Sequence, residues 1–187
     1  MSDQSPQQMS PPPGAIFELA ERAVDFVRHA VRGVRGELIL DYRPETLPLL
    51  DHYLRGVPED QPETVALIAA AAGAYFGEVA RRVLGGAWLE TDAPPEEWTL
   101  AVDGGLRFVP RDLAESAIRT DEDGAAFEVD DADRAAVEDA LEGKEVAEDE
   151  YYSLSGRLEA FLLIADALVG RRAPGPTPEP DEPEDDA

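Results

Sequence analysis

The sequence predicts an α+β fold with a long central helix, flanking helices and a small antiparallel sheet of three to four strands. Apolar residues recur at helical spacings of three and four near both ends of the chain. Between them lie a long apolar segment that starts at Pro62 and several short runs rich in β-forming residues. The change from helical to strand-like patterning predicts that the sheet follows the central helix.

Two helices are predicted before the central one. The apolar stripe that starts at Ile16 predicts a helix to about Arg32. Residues 37–40 are predicted to form a short strand. Pro44 suits the first turn of a second helix over about 44–55, because its missing N–H would be unpaired there anyway.

The central helix is predicted over Pro62 to Leu84, and it is apolar on nearly every side in its first half. Gly73 and Gly77 stand four residues apart within it. Each glycine costs about 1 kcal/mol relative to alanine in a helix. The pair therefore predicts that another element approaches the helix closely.

Three strands are predicted at 87–90, 98–102 and 106–109. Residues 103–105, Asp-Gly-Gly, predict a hairpin turn between the last two, since glycine accepts positive φ without steric cost. A short helix is predicted over 110–119.

An acidic segment over 121–150 follows, with 14 acidic and two basic residues. Within it, residues 126–129 are predicted to be extended, and a weak helical pattern includes Val137 and Leu141. Strong helical patterning returns over 151–169, so the acidic segment is predicted to lie inside the domain.

The chain is predicted to contain one domain, residues 14–172, which includes the acidic segment. Residues 1–13 are predicted to be a disordered Pro-rich arm. Residues 173–187, with five prolines and six carboxylates, are predicted to be a disordered acidic tail.

Composition excludes several classes of function. The chain has 41 acidic and 16 basic residues and a formal net charge of -25, which repels nucleic acid and anionic membrane surfaces. It has no cysteine, and hence no disulfide or thiolate ligand. No cofactor is predicted.

A cytoplasmic, bacterial protein is expected. The first residues lack the basic start and apolar core of a secretory signal. The longest apolar run, 65–76, is shorter than the roughly 20 residues that cross a bilayer. Lys144 is the single lysine, and together with the many alanines and prolines this is typical of a GC-rich bacterial genome.

No catalytic residue is predicted, because His29 and His52 lie on separate helices without metal-ligand spacing, and the serines have no histidine in local reach. Asp121 and Asp123 resemble part of an EF-hand loop, but in that register Arg119 occupies the position of the first carboxylate. The segment instead supplies a candidate acidic interface, with loose binding of divalent cations left open. Its candidate residues are Asp121, Glu122, Asp123, Asp130, Asp131 and Asp133.

Glu78 is the carboxylate with the most informative surroundings. It precedes Arg81 and Arg82 at helical spacings of three and four, which predicts an ion pair. A functional alternative is that Glu78, Arg81, Arg82 and Trp88 line one pocket for a small ligand or substrate.

Residues 40–47, LDYRPETL, and 73–88, GAYFGEVARRVLGGAW, resemble a pattern found in small bacterial proteins that form domains of unknown function. The pattern combines an LDYxPxxL entry with GxYxGExxRRxxGGxW, and it covers about 37–110. The resemblance implies an α+β fold and structural roles for Tyr42, Gly77 and Trp88. It implies no activity.

The expected function is a non-enzymatic protein-binding, regulatory or accessory module that engages a partner with a basic surface. One alternative is an immunity-type or nucleic-acid-mimicking inhibitor of a basic toxin or nuclease. Another is an enzyme or small-ligand binder with a site near Glu78. Acidity that serves only solubility is also consistent with the sequence, which leaves the oligomeric state open.

Overall fold

The computed structural model describes residues 14–30, 40–121, 127–143 and 148–172. Several predictions lie outside these residues: the disorder of the arm and of the tail, the first three residues of the predicted strand at 37–40, and the acidic positions Glu122 and Asp123.

The helices follow the predicted order closely. They are α1 (Gly14–Ala30), a 3-10 turn (Pro44–Thr46) that leads into α2 (Leu47–Leu54), α3 (Pro62–Leu84), α4 (Pro110–Arg119), α5 (Arg134–Leu141), the single-turn α6 (Glu148–Tyr151) and α7 (Leu154–Arg172). The predicted second helix thus begins with a tighter turn. The predicted last helix begins three residues late, because residues 152 and 153 form a bend before it.

Four short strands form one antiparallel sheet in sequential order. They are β1 (Ala87–Leu89), β2 (Thr99–Ala101), β3 (Arg107–Phe108) and β4 (Phe127–Glu128). Leu100 lies opposite both Trp88 and Phe108 in the ladder. The Asp-Gly-Gly turn closes the β2–β3 hairpin, with the N–H of Val102 donating to the carbonyl of Leu106 at 2.8 Å. The predicted α+β class, with a long central helix and a small antiparallel sheet, is confirmed.

Helix α3 is the centre of the core, and every residue from Ala71 to Arg81 is buried. It has the length and the mean hydropathy, 1.2, of a helix that crosses a membrane, yet 78% of its most apolar window is buried inside the fold. Gly85 ends it with a φ of 79°, and its N–H donates to the carbonyl of Arg81 at 3.1 Å. Helix α3 therefore packs as a core helix.

The two glycines of α3 are sites of close approach, as predicted. A methyl group at Gly73 would lie 2.6 Å from the backbone N and Cα of Arg111, at the start of α4. A methyl group at Gly77 would overlap the indole ring of Trp88. The absence of both side chains lets α4 and β1 pack directly on the α3 backbone.

Helix α7 is capped by a residue from the other half of the chain. Ser153 is its N-cap, and the hydroxyl of Ser153 accepts the N–H of Gly156 at 3.0 Å. The buried carboxylate of Asp51, on α2, accepts the N–H groups of Leu154 at 2.7 Å and of Ser155 at 3.2 Å, as well as the Ser155 hydroxyl. Three N–H groups without an intrahelical acceptor are thus satisfied, and a negative charge faces the positive end of the helix dipole.

Asp51→Ala is expected to lower the free energy of unfolding by about 1–2 kcal/mol, because the first N–H groups of α7 lose their acceptor. Urea unfolding followed by circular dichroism measures the change. His52→Ala is the control, since His52 is the exposed neighbour on the same helix, and its effect should stay within about 0.5 kcal/mol. Equal losses for the two variants would contradict the capping role.

Candidate functional site

Glu78 forms ion pairs with both arginines, as its spacing predicts. Its two carboxylate oxygens accept from Arg81 Nε and Nη2, each at 2.9 Å, and one of them also accepts from Arg82 Nε at 2.8 Å. The side chains of Glu78 and Arg81 are 2% and 8% exposed, whereas that of Arg82 is 37% exposed. The carboxylate is buried, and its compensating charge comes from its own helix.

The protonation state of Glu78 follows from these contacts. Burial alone would raise the pKa of Glu78, but the hydrogen bonds and charges of Arg81 and Arg82 outweigh it and hold this pKa below its usual value. The bond to Glu78 in turn raises the pKa of Arg81. The group is therefore an ionised ion pair at neutral pH, which suits a structural contact better than proton transfer.

Unlike Arg81 and Arg82, Trp88 does not hydrogen-bond to Glu78 in the described part of the chain. Its ring packs on Gly77, and its Nε1 is buried without a hydrogen-bond partner in the described part of the chain. The crevice beside it, which Trp98 and Pro110 also line, is too narrow for a water molecule. The ligand site predicted from these three residues and Trp88 stays a prediction. The ion pairs alone are enough to explain the spacing of Glu78, Arg81 and Arg82.

In the structure, Tyr42 also contacts the ion-paired group of Glu78, Arg81 and Arg82. The guanidinium of Arg82 lies over the Tyr42 ring, 4.5 Å from its centroid, and that ring stacks on Tyr75 at 4.8 Å. The Tyr42 hydroxyl donates to Glu21 at 2.6 Å, and the Tyr42 N–H donates to the Tyr75 hydroxyl at 3.0 Å. Tyr42 has a φ of 61°, which is uncommon for a non-glycine residue. These contacts tie α1 and the entry to α2 onto α3.

Tyr42→Phe is expected to cost about 1 kcal/mol at pH 7, because the hydrogen bond to Glu21 is lost. Burial, this hydrogen bond and the Glu21 charge raise the pKa of Tyr42 far above its usual value. A raised folded-state pKa gives stability that is complete below the unfolded value, about 10, and is lost as the pH rises beyond it. Urea unfolding between pH 7 and 11 should therefore show the gap between wild type and variant closing above pH 10. Parallel curves would contradict this assignment.

The structure places the predicted acidic residues in different environments. Asp130 and Asp131 are exposed, and Asp131 pairs with Arg134 at 3.1 Å. Asp133 is buried and lies 3.5 Å from Arg171 of α7. Asp121 is half-buried at the end of α4. Within the described residues, no group of three or more His, Asp or Glu side chains is arranged to hold a metal ion.

A groove lies between β4 and α5, and exposed carboxylates form part of its lining. It has a volume of about 540 Å³. Four apolar side chains line it: Phe127, Val129, Val137 and Leu141. Glu128 and Glu138, both exposed, line it as well, and Arg134 is the cation in its described lining. We call this feature the acidic groove.

Sequence reasoning did not identify the acidic groove, although parts of its signal are present. Phe127 and Val129 alternate along the predicted extended stretch 126–129, while Val137 and Leu141 are four apart on a helix, so each pair marks one apolar face. The sequence does not show that these two apolar faces lie side by side and leave a groove between them.

Comparison with known proteins finds no match to a protein-family model, to a curated protein or to a solved structure. The resemblance of residues 37–110 to a bacterial family therefore stays a prediction.

Proposed function

We propose that this chain is a non-enzymatic protein-binding module, regulatory or accessory, whose acidic groove holds a basic segment of a partner protein. The observation that carries the proposal is the combination of an apolar lining with exposed carboxylates in the same depression. Apolar grooves of this kind take alternate or helically spaced side chains of a partner segment, and flanking charges select its sequence.

The charge around the acidic groove favours a cationic partner. Arg134, its described cation, is engaged by Asp131 at 3.1 Å and so leaves little free positive charge there. Asp130, Asp139 and Glu142 add further exposed carboxylates on α5 and next to it. Complementary charge speeds the encounter and rejects acidic partners. A toxin or nuclease with a basic active site belongs to the same class of partner, so the immunity-type alternative uses the same surface.

The test compares two variants of equal charge. Glu128→Gln with Glu138→Gln neutralises the acidic groove, whereas Glu59→Gln with Glu63→Gln neutralises two exposed carboxylates near the start of α3. The probes are labelled 12-residue peptides that alternate lysine with leucine or glutamate with leucine, titrated by fluorescence anisotropy against the full chain. Each exposed ion pair contributes about 0.5 kcal/mol, so the loss of two should weaken binding of the Lys-Leu peptide roughly fivefold.

The control variant should bind the Lys-Leu peptide about as tightly as the wild type, and the Glu-Leu peptide should not bind. Equal weakening by both pairs of substitutions would show that net charge alone attracts the peptide. That outcome would overturn the assignment of the acidic groove and favour acidity that serves only solubility.

A further inference from the structure

Arg157 is a buried guanidinium without a charge partner in the described part of the chain. It lies in the first turns of α7 and is 9% exposed. Among the side chains that the structure describes, no carboxylate forms an ion pair with it, and its Nε is buried without a hydrogen-bond acceptor. Its guanidinium carbon lies 4.6 Å above the centroid of the Tyr151 ring.

This arrangement is unusual in a chain with 41 acidic residues. Buried charges in proteins are normally paired, because an isolated charge is poorly solvated in the interior. Arg81 shows the usual solution in this same fold, with two hydrogen bonds to Glu78. The cation–π contact with Tyr151 leaves the Nε donor of Arg157 without an acceptor among the described residues.

The unmatched guanidinium lines a cavity of about 340 Å³. Its other side-chain lining is apolar or aromatic: Phe127, Leu141, Tyr151, Ala160, Phe161 and Ile164. The volume is at the lower end of the range for ligand sites, and a largely apolar wall with a single well-placed polar group is typical of them.

We propose that this cavity binds a small organic monoanion, a carboxylate attached to an aromatic or branched aliphatic body. The carboxylate would accept hydrogen bonds from the Arg157 guanidinium, which matches its planar geometry. The apolar body would lie against Phe127, Phe161 and Ile164. A single charge fits better than two, because Arg157 is the one cation in the described lining and the chain as a whole is strongly negative.

A wider groove of about 1190 Å³ between α2 and α7 shares Leu141, Gly156 and Ala160 with the cavity lining. We take this groove as the entrance for the proposed ligand, since entry there leaves the helix packing around α3 intact. The cavity shares Phe127 and Leu141 with the acidic groove, but Arg157, on which this proposal rests, is not part of that groove.

Isothermal titration calorimetry of the full chain at neutral pH tests the proposal. The probes are phenylacetate, 3-phenylpropanoate, 4-phenylbutyrate and 4-methylpentanoate, each compared with its neutral primary amide, and acetate as a carboxylate without an apolar body. At least one of the larger carboxylates should bind with a Kd of about 1 mM or below and about tenfold more tightly than its amide. Acetate should bind more weakly than this carboxylate.

Two variants locate the binding. Arg157→Met keeps the length and apolar stem of the side chain and should abolish the preference for carboxylate over amide. Ala160→Phe fills the cavity without altering the charge and should abolish binding of both the carboxylate and its amide. The proposal can therefore still be tested if one of the two variants fails to fold. Without ligand, Arg157→Met should keep or raise the thermal midpoint, because an unpaired buried charge is removed.

Three results would overturn the proposal. One is that none of the carboxylates binds the wild type more tightly than its amide. Another is that carboxylate binding persists in Arg157→Met. The third is a folded Ala160→Phe variant that binds the carboxylates as tightly as the wild type, which would place their binding outside the cavity.

Discussion

Glu78→Gln is expected to lower the free energy of unfolding by about 3–5 kcal/mol, the loss typical of a buried ion pair from which one partner is removed. Arg81 stays buried, and its charge is then uncompensated on α3. A glutamine still accepts one hydrogen bond, so the loss comes mainly from the missing charge. Urea unfolding followed by circular dichroism measures it directly.

Two controls separate the buried pair from its exposed neighbour. Arg82→Gln removes the partly exposed arginine and should cost about 1 kcal/mol or less. Glu78→Leu combined with Arg81→Met replaces both buried charges by apolar groups, and stability should return to within about 1 kcal/mol of the wild type. If the double variant is no more stable than Glu78→Gln, burial of an unpaired charge is not the cause of the loss.

The stability of the fold at acidic pH also depends on the ionised Glu78 carboxylate. The pKa of Glu78 is lower in the folded chain than in the unfolded one, so this part of the stability is complete above about pH 4.3, the value of an unperturbed glutamate. It is lost as the pH falls further, through the folded-state pKa. The stability of the apolar double variant should therefore decline less steeply than that of the wild type in this range.

Gly73→Ala is expected to lower the free energy of unfolding by about 2–3 kcal/mol, although alanine is the better helix former. The added methyl group would lie 2.6 Å from backbone atoms of Arg111 and 2.8 Å from the carbonyl carbon of Pro110. Backbone atoms at the start of a helix do not move aside as a flexible side chain would. Helix α4 as a whole has to shift away from α3.

Gly170→Ala is the matched control, because it makes the same change in a helix where nothing lies within 4 Å of the new methyl group. It should raise stability by about 0.4–1 kcal/mol through the lower entropy of the unfolded chain. Thermal unfolding of both variants under one set of conditions gives the comparison. A stable Gly73→Ala variant would contradict the close packing of α4 on α3.

The bounds of α3 and α4 were predictable because local chemistry sets them. A proline in the first turn begins each helix, and glycine ends α3. Gly73 and Gly77 also carried information beyond their own helix, since a glycine inside an apolar helix is costly unless another element needs the space. These signals are all contained within a few residues of sequence.

The candidate sites were less predictable because they depend on contacts between distant segments. The Glu78 ion pairs follow from spacing on one helix, but the bond from Tyr42 to Glu21 and the unpaired state of Arg157 depend on tertiary packing. With 41 acidic residues in the chain, nothing in the sequence marks Arg157 as an arginine that lacks a carboxylate partner among the described side chains. The missing partner of Arg157 is visible only in three dimensions.

The cap that Asp51 provides to α7 has a consequence for synthesis on the ribosome. Asp51 and Leu154, whose N–H it accepts, are 103 residues apart, and this stretch takes roughly 5–20 s to translate at typical rates. Until then the Asp51 carboxylate has no N–H partner on α7 and stays hydrated. This contact therefore does not yet hold α2 in its final position. The nascent chain is thereby expected to complete its core only after the last helix has emerged, and chaperones would meet it in that open form.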